Sequence, residues 1–282
     1  MKDYKNIISL SKNERGIWDL DTIKGCASGL VKNQNGCYGD CYAYKTAKRY
    51  GINFGKSIER DFENESHKNS IVKQIEKIDM PFIRIGCSGD PSENWQHTLN
   101  IINKIRTTNQ LALFDISSKK QIVIITRHWK TLTDVQLNDI AKLNICINTS
   151  VSALDNERLI DNSVNEYERL KPYCKSVLRV VTCDFNKENE TGLYFHNLQE
   201  TLLNNENVIE TVLRVNKNNP LVKDEIINVS KTKFLGKNAL VSKRNKKTYL
   251  GNCKNCLEMC GLNKNDGNKK YNDTILHQLK LF

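Results

Sequence analysis

The chain has 282 residues, 39% apolar and 27% charged, with 43 Lys and Arg against 32 Asp and Glu for a formal charge of +11. That length supports one large core, or a core with a small appendage, and no run approaches the roughly 20 apolar residues that a bilayer-spanning helix needs. Ten cysteines would suit a disulfide-bonded secreted protein, but MKDYKNIISLSKNERG lacks the apolar core of a signal peptide; the expected setting is therefore reducing and cytoplasmic, without a membrane.

The first predicted strand, Ile17–Thr22, runs into a glycine-rich loop, GCASGLVKNQNGCYGDCYAY, that carries Cys26, Cys37 and Cys41. Three thiolates from one flexible loop can hold an iron–sulfur cubane by three of its irons and leave the fourth open. The loop has no fourth ligand, and the nearest histidine is His67, so an open cluster suits it better than a closed zinc site. The competing reading is that two of the three are ordinary buried thiols.

Strand-like and helix-like segments then alternate. Predicted strands are Phe82–Cys87, Gln121–Thr126, Ile145–Thr149, Val177–Cys183 and Val208–Val215, each short, β-branched and apolar. Predicted helices are Cys41–Tyr50, Ser66–Ile78, Trp95–Arg106, Thr133–Lys142, Ser163–Leu170 and His196–Asn204, with Thr133 and Ser163 as N-caps. Six near-continuous apolar strands separated by helices imply a parallel sheet, either doubly wound or a partial barrel.

In such sheets chemistry gathers at the C-terminal strand ends. The second strand ends in GCSGDPSENWQH, where Gly86, Gly89 and Pro91 force a turn that exposes backbone amides and carbonyls. The later strands end in TRHW, NTSVS, TCDF and RVNKNN, and five polar strand ends together point to a site. By alternation Asn144, Cys146, Asn148 and Ser150 share one face, as do Arg179, Val181 and Cys183, so polar side chains line an interior. Cys87, Cys146, Cys174 and Cys183 lie in or beside apolar runs and read as core thiols.

The last fifth is the basic part. Lys231–Phe282 holds twelve Lys or Arg against three Asp or Glu, with Lys243, Arg244, Lys246 and Lys247 as its densest run. It also carries Cys253, Cys256 and Cys260 in GNCKNCLEMCG, a second metal or cluster site by spacing, with zinc as the alternative if His277 supplies a fourth ligand. The charge suits either a polyanion-binding surface or counter-charge for a thiolate-ligated centre.

Together these residues resemble the radical S-adenosylmethionine superfamily, and within it the phage and mobile-element members whose third cluster cysteine opens a Cys-Tyr-Ala sequence, here Cys41-Tyr42-Ala43. Ser88-Gly89-Asp90-Pro91 is similar to the family's Gly-Gly-Glu-Pro turn, whose backbone and acidic side chain receive the methionyl amino group. The resemblance covers roughly Ile17 to Asn216. It implies an α/β fold, a partial (βα)6 barrel over residues 1–230, with 231–282 as a small extension similar to the family's auxiliary-cluster extensions. The cysteine spacing departs from the commonest family loop, which has three residues and then two between its cysteines and an aromatic before the last; here the gaps are ten and three, and Asp40 stands in the aromatic's place. Stacking near the adenine then falls to Tyr42 or Tyr38.

What the resemblance implies is an enzyme with a [4Fe-4S] cluster on Cys26, Cys37 and Cys41, S-adenosylmethionine (SAM) on the open iron, and an electron donor such as flavodoxin or ferredoxin. One electron would cleave the sulfonium and yield a 5′-deoxyadenosyl radical. Ser88, Gly89, Asp90 and Pro91 would receive the amino group, Ser150 and Arg179 the ribose and carboxylate, and Asn148 and Asn216 would line the barrel. The basic tail favours RNA, DNA or a nucleotide as substrate. A ribosomally made peptide is the rival, and a non-enzymatic zinc or iron–sulfur nucleic-acid-binding module is the alternative from a different class.

Overall fold

Runs of isoleucine and valine build the sheet of the computed structural model, which describes residues 1–13, 15–32, 37–39, 41–108, 120–213, 224–228, 232–234, 237–241, 244–245, 248–250 and 258–263. In chain order, β1 (Ser11–Lys12), β2 (Trp18–Asp19), β3 (Ile23–Lys24), α1 (Ala27–Lys32), α2 (Tyr42–Arg49), β4 (Ile58–Glu59) and α3 (Glu65–Lys77) precede β5 (Phe82–Ile85). Then follow α4 (Trp95–Thr108), β6 (Gln121–Thr126), α5 (Asp134–Ala141), β7 (Ile145–Val151), α6 (Glu157–Leu170), β8 (Lys175–Thr182), β9 (Asp184–Phe185), α7 (Glu190–Leu203) and β10 (Val208–Val212). β11 (Ile226–Asn228), β12 (Thr232–Phe234), β13 (Lys237–Val241) and β14 (Tyr249–Leu250) complete the set. Among the described residues no helix is long and apolar enough to cross a membrane.

The main sheet has seven strands in the order β1-β2-β5-β6-β7-β8-β10. β1 is antiparallel to β2 and every other pair is parallel. Strand order therefore follows chain order without the reversal that a doubly wound sheet requires. Right-handed crossovers in that order lay the connecting helices on one face, where α3 packs on α4 and α4 on α5. Ile83, Ile85, Ile122, Ile124, Ile145 and Ile147 are buried with Leu99, Ile101, Ile102 and Ile105 of α4 in one apolar cluster. Side chains of this kind each contribute roughly 1.5–3 kcal/mol on burial, which is why the sheet and α4 form one unit.

The helix starts follow their caps. Thr133 and Gln136 form a reciprocal capping box on α5, as the sequence predicts, and Asn64 caps α3. Ser163 is not an N-cap: α6 begins six residues earlier, where Asn156 accepts from Leu159 N, and Ser163 is buried in mid-helix. Likewise α7 starts at Glu190 under Asn189 rather than at His196. Asparagine caps as well as serine does, and each outcompetes the later start.

The first strand is shorter than Ile17–Thr22 because Asp21 leaves the ladder to serve another loop, as described below. The second stops at Ile85 because Gly86 turns at φ +95, and a Cβ there would sit 2.1 Å from Ile125 O. Register pairs Arg84 with Val123, Val123 with Cys146 and Cys146 with Lys175, then Asn148 with Val177 and Ser150 with Arg179. These rows form the face turned away from the helices. Its lower rows are covered by the 3-10 turn Met259–Gly261, which packs on β7 and β10: Asn148 Nδ2 donates to Cys260 O at 3.0 Å and Lys175 Nζ to Leu262 O at 2.6 Å. β11 extends the chain onto β9, and β12, β13 and β14 form a small antiparallel sheet beside β10.

Candidate active site

Above that turn, at the C-terminal ends of the parallel strands, lies a cavity of about 200 Å³. Cys26, Cys37 and Cys41 all line it, and each is placed by its own backbone. Gly25 N donates to Ser88 O at 2.9 Å and Cys26 N to Phe54 O at 2.8 Å, so the first cysteine is tied both to the turn after β5 and to the segment before β4. A side chain at Gly25 would put Cβ 2.2 Å from Lys56 O. Ser28 donates from N and Oγ to the buried Glu93 at 2.8 and 3.1 Å, pinning the start of α1. Cys37 opens a tight turn in which Tyr38 and Gly39 both have positive φ. Cys41 is the residue before α2 and has an extended backbone.

Burial pushes all three thiols up, Cys37 to about 12. Backbone amides of Tyr44 and Ala43 at the start of α2 work against this at Cys41, and the Arg127 guanidinium does so at Cys37 and Cys41. Cys26 repels Cys37, and Cys37 repels Cys41, so the three are neighbours. The described cysteines are free of disulfides. Among the described residues no group of three or more His, Cys, Asp or Glu is placed to hold a metal ion. What the three thiols share is the wall of one cavity.

The turn after β5 is braced by two buried carboxylates. Asp21 accepts from the amides of Gly86, Cys87 and Ser88 at 3.1, 2.7 and 3.0 Å. Asp90 accepts from Ser92 N, Ser92 Oγ, Thr126 Oγ1 and Arg127 N, all at 2.7–2.9 Å. Burial raises both carboxyls and these bonds oppose it. Asp90 thus spends its lone pairs inside the protein, fixing the turn and the end of β6. Gly89 and Asp90 line the cavity, whereas Ser88 and Pro91 are not among its walls. Tyr42 does line it and donates from its hydroxyl to Cys87 O at 2.5 Å.

Of the other expected contacts, Ser150 and Arg179 reach the cavity. Asn148 does not: its amide holds the Cys260 carbonyl beneath. Asn216, Cys253, Cys256, His277, Lys243, Lys246 and Lys247 lie outside the described residues. Arg244 pairs with Glu200 at 3.4 Å and Glu210 at 3.3 Å, so it is committed within the fold.

Three further groups were not singled out by sequence reasoning. Arg127 is buried, donates to Asp155 and to Tyr38 Oη, and stacks over the Tyr38 and Trp129 rings at 4.5 and 5.5 Å. Arg84 donates to Asp19 Oδ1 at 2.9 Å and to Cys87 Sγ at 2.7 Å. Arg15 completes the wall. A signal for Arg84 did exist: one guanidinium inside the otherwise apolar run FIRI requires a polar interior on that face. No family model, curated protein or solved structure matches the chain, so the geometry carries the functional argument.

Proposed function

We propose that this chain is a radical SAM enzyme on a partial (βα)6 barrel, with Cys26, Cys37 and Cys41 as cluster ligands. The observation that carries the reading is that one loop delivers three thiols to one cavity at the C-terminal ends of sequentially ordered parallel strands. The donor set fits a cubane: its cysteines bind three separate irons, so they must ring a space wider than a single ion, and a coordinated thiol is deprotonated whatever its pKa in the free protein. Held by Cys26, Cys37 and Cys41, a [4Fe-4S] cluster reduced by an external donor would supply the one electron needed to cleave SAM into methionine and a 5′-deoxyadenosyl radical.

The chain's own residues do the rest. Arg127, held by Asp155, offsets negative charge beside Cys37. Asp21 and Asp90 hold the Gly86–Gly89 backbone against the cysteine loop, where the methionyl amino group binds. Tyr38 and Ser150 lie within reach of each other on the cavity wall for the nucleoside. Ile125, Val181, Val212 and Leu213 keep the wall apolar and exclude water. The reading extends to a second iron–sulfur centre at Cys253, Cys256 and Cys260, supported by the turn that brings Cys260 onto the sheet, and to a nucleic acid or nucleotide as substrate, supported by the cationic excess of the chain. Anaerobic protein supplied with iron, sulfide, dithionite and SAM should form 5′-deoxyadenosine. No product above the protein-free control would overturn the reading.

A further inference from the structure

The cavity has two chemically different ends. Cys37 and Cys41 answer to Arg127, whereas the charged neighbours of Arg179 include Cys260, Arg84 and Arg15. Arg84, Arg15 and Arg179 all line the cavity. Among the described residues only Arg84 of these three has a carboxylate partner, Asp19 at 2.9 Å. Arg179, half-buried, donates to the Thr211 hydroxyl at 3.3 Å, a neutral acceptor that carries no counter-charge. Three guanidinium groups thus share the one carboxylate of Asp19, with the Cys87 and Cys260 sulfurs beside them. Burial and the repulsion from Arg84 and Arg15 both push the Arg179 pKa down.

Uncompensated charge inside a fold costs several kcal/mol per ion, and a protein retains it where a ligand supplies the counter-charge. Guanidinium forks match phosphate oxygens two at a time, and Arg is the residue that does so with geometric selectivity. We infer that Arg15, Arg84 and Arg179 form a binding site for a phosphate dianion of the substrate, with the Thr211 hydroxyl as a further donor. This rests on the proposed function only in calling the ligand a substrate; the phosphate site itself needs no cluster. It places recognition of one phosphate group in the cavity, and not solely along the basic tail.

The test is titration of inorganic phosphate into the full chain at low salt, followed by calorimetry, on wild type, Arg179→Gln, Arg15→Gln and, as a surface control, Lys73→Gln on α3. The account expects saturable binding to wild type and to Lys73→Gln. It expects affinity at least roughly tenfold weaker in Arg179→Gln and in Arg15→Gln, the loss of one charge-assisted contact, and acetate binding far more weakly than phosphate. Arg15 is half-exposed, so its variant keeps the test valid if Arg179→Gln fails to fold. Absence of saturable binding in wild type, affinities equal in all four proteins, or acetate binding as tightly as phosphate would overturn the inference. Iron content measured on the same preparations separates the two claims: phosphate binding lost with iron retained removes this site alone, and iron absent with phosphate binding retained removes the cluster alone.

Discussion

One face of the main sheet meets two fates along the same strands. In its lower rows Asn148 and Lys175 spend their donors on the carbonyls of Cys260 and Leu262, and Gly261 approaches Val177 so closely that a Cβ would lie 2.6 Å from its Cγ2. In the upper rows Ser150 and Arg179, register partners on β7 and β8, open onto the cavity. Alternation puts polar residues of β7 and β8 on this face at both levels, among apolar Val123, Ile125 and Val177. The lower donors are spent on backbone carbonyls of a distant segment, whereas the upper groups pair with other side chains of the cavity wall, Arg179 with Thr211 and Ser150 with Tyr38.

His128 is a buried polar group outside the cavity, and its Nδ1 has no hydrogen-bond partner among the described residues. Its Nε2 meets Thr149 Oγ1 at 3.0 Å. Burial and Arg169 lower its pKa from 6.5 to about 3, so the neutral ring is the folded form. As pH falls below about 6.5 the unfolded chain takes up a proton that the folded chain refuses until about pH 3. Stability from this residue is therefore complete above pH 6.5 and should decline by about 1.4 kcal/mol per unit below it, several kcal/mol in total. The difference in urea stability between wild type and His128→Gln across that window isolates the effect from Asp21 and Asp90, whose raised carboxyls push the other way. A flat difference would show that His128 is already charged in the fold.

Asp21→Ala should cost about 3 kcal/mol, because it strands three half-buried amides at once, and should also abolish 5′-deoxyadenosine formation. Gly86→Ala should cost about 2 kcal/mol or more through the clash with Ile125 O and its positive φ. Chemical denaturation checks both, and a change within about 0.5 kcal/mol would be the ordinary surface result and would remove the bracing role.

The lower and upper rows are contrasted most sharply by two conservative changes. Asn148→Ala should lower stability by roughly 1–2 kcal/mol, since it unpairs the Cys260 carbonyl. Ser150→Ala should change stability by no more than about 0.5 kcal/mol yet reduce SAM cleavage. Reversal of that pattern would assign the site to the lower half.

Much of the frame was legible because period and composition are local. Gln121–Thr126 forms the strand expected of it, the helices from Ser66 and Trp95 fall within a residue or two, and the cysteine loop stands where the first strand releases it. What escaped were long-range side-chain choices. Asp21 could not be seen to brace amides 65 to 67 positions away, nor Asp90 to spend itself on Thr126 and Arg127. Asn148 and Ser150 look equivalent two positions apart, and only the arrival of Cys260 from the far end of the chain distinguishes them. Arg244 looked like part of a free cationic run until Glu200 and Glu210 were brought beside it.

The central claim is that Cys26, Cys37 and Cys41 hold one cubane. It is met most directly by iron and sulfide analysis of anaerobically reconstituted wild type and of the variant with all three cysteines replaced by alanine. The account predicts that the variant loses about four irons and four sulfides per chain, the content of one cubane, with Asn148→Ala retaining them. Equal iron and sulfide in wild type and the triple variant would contradict it.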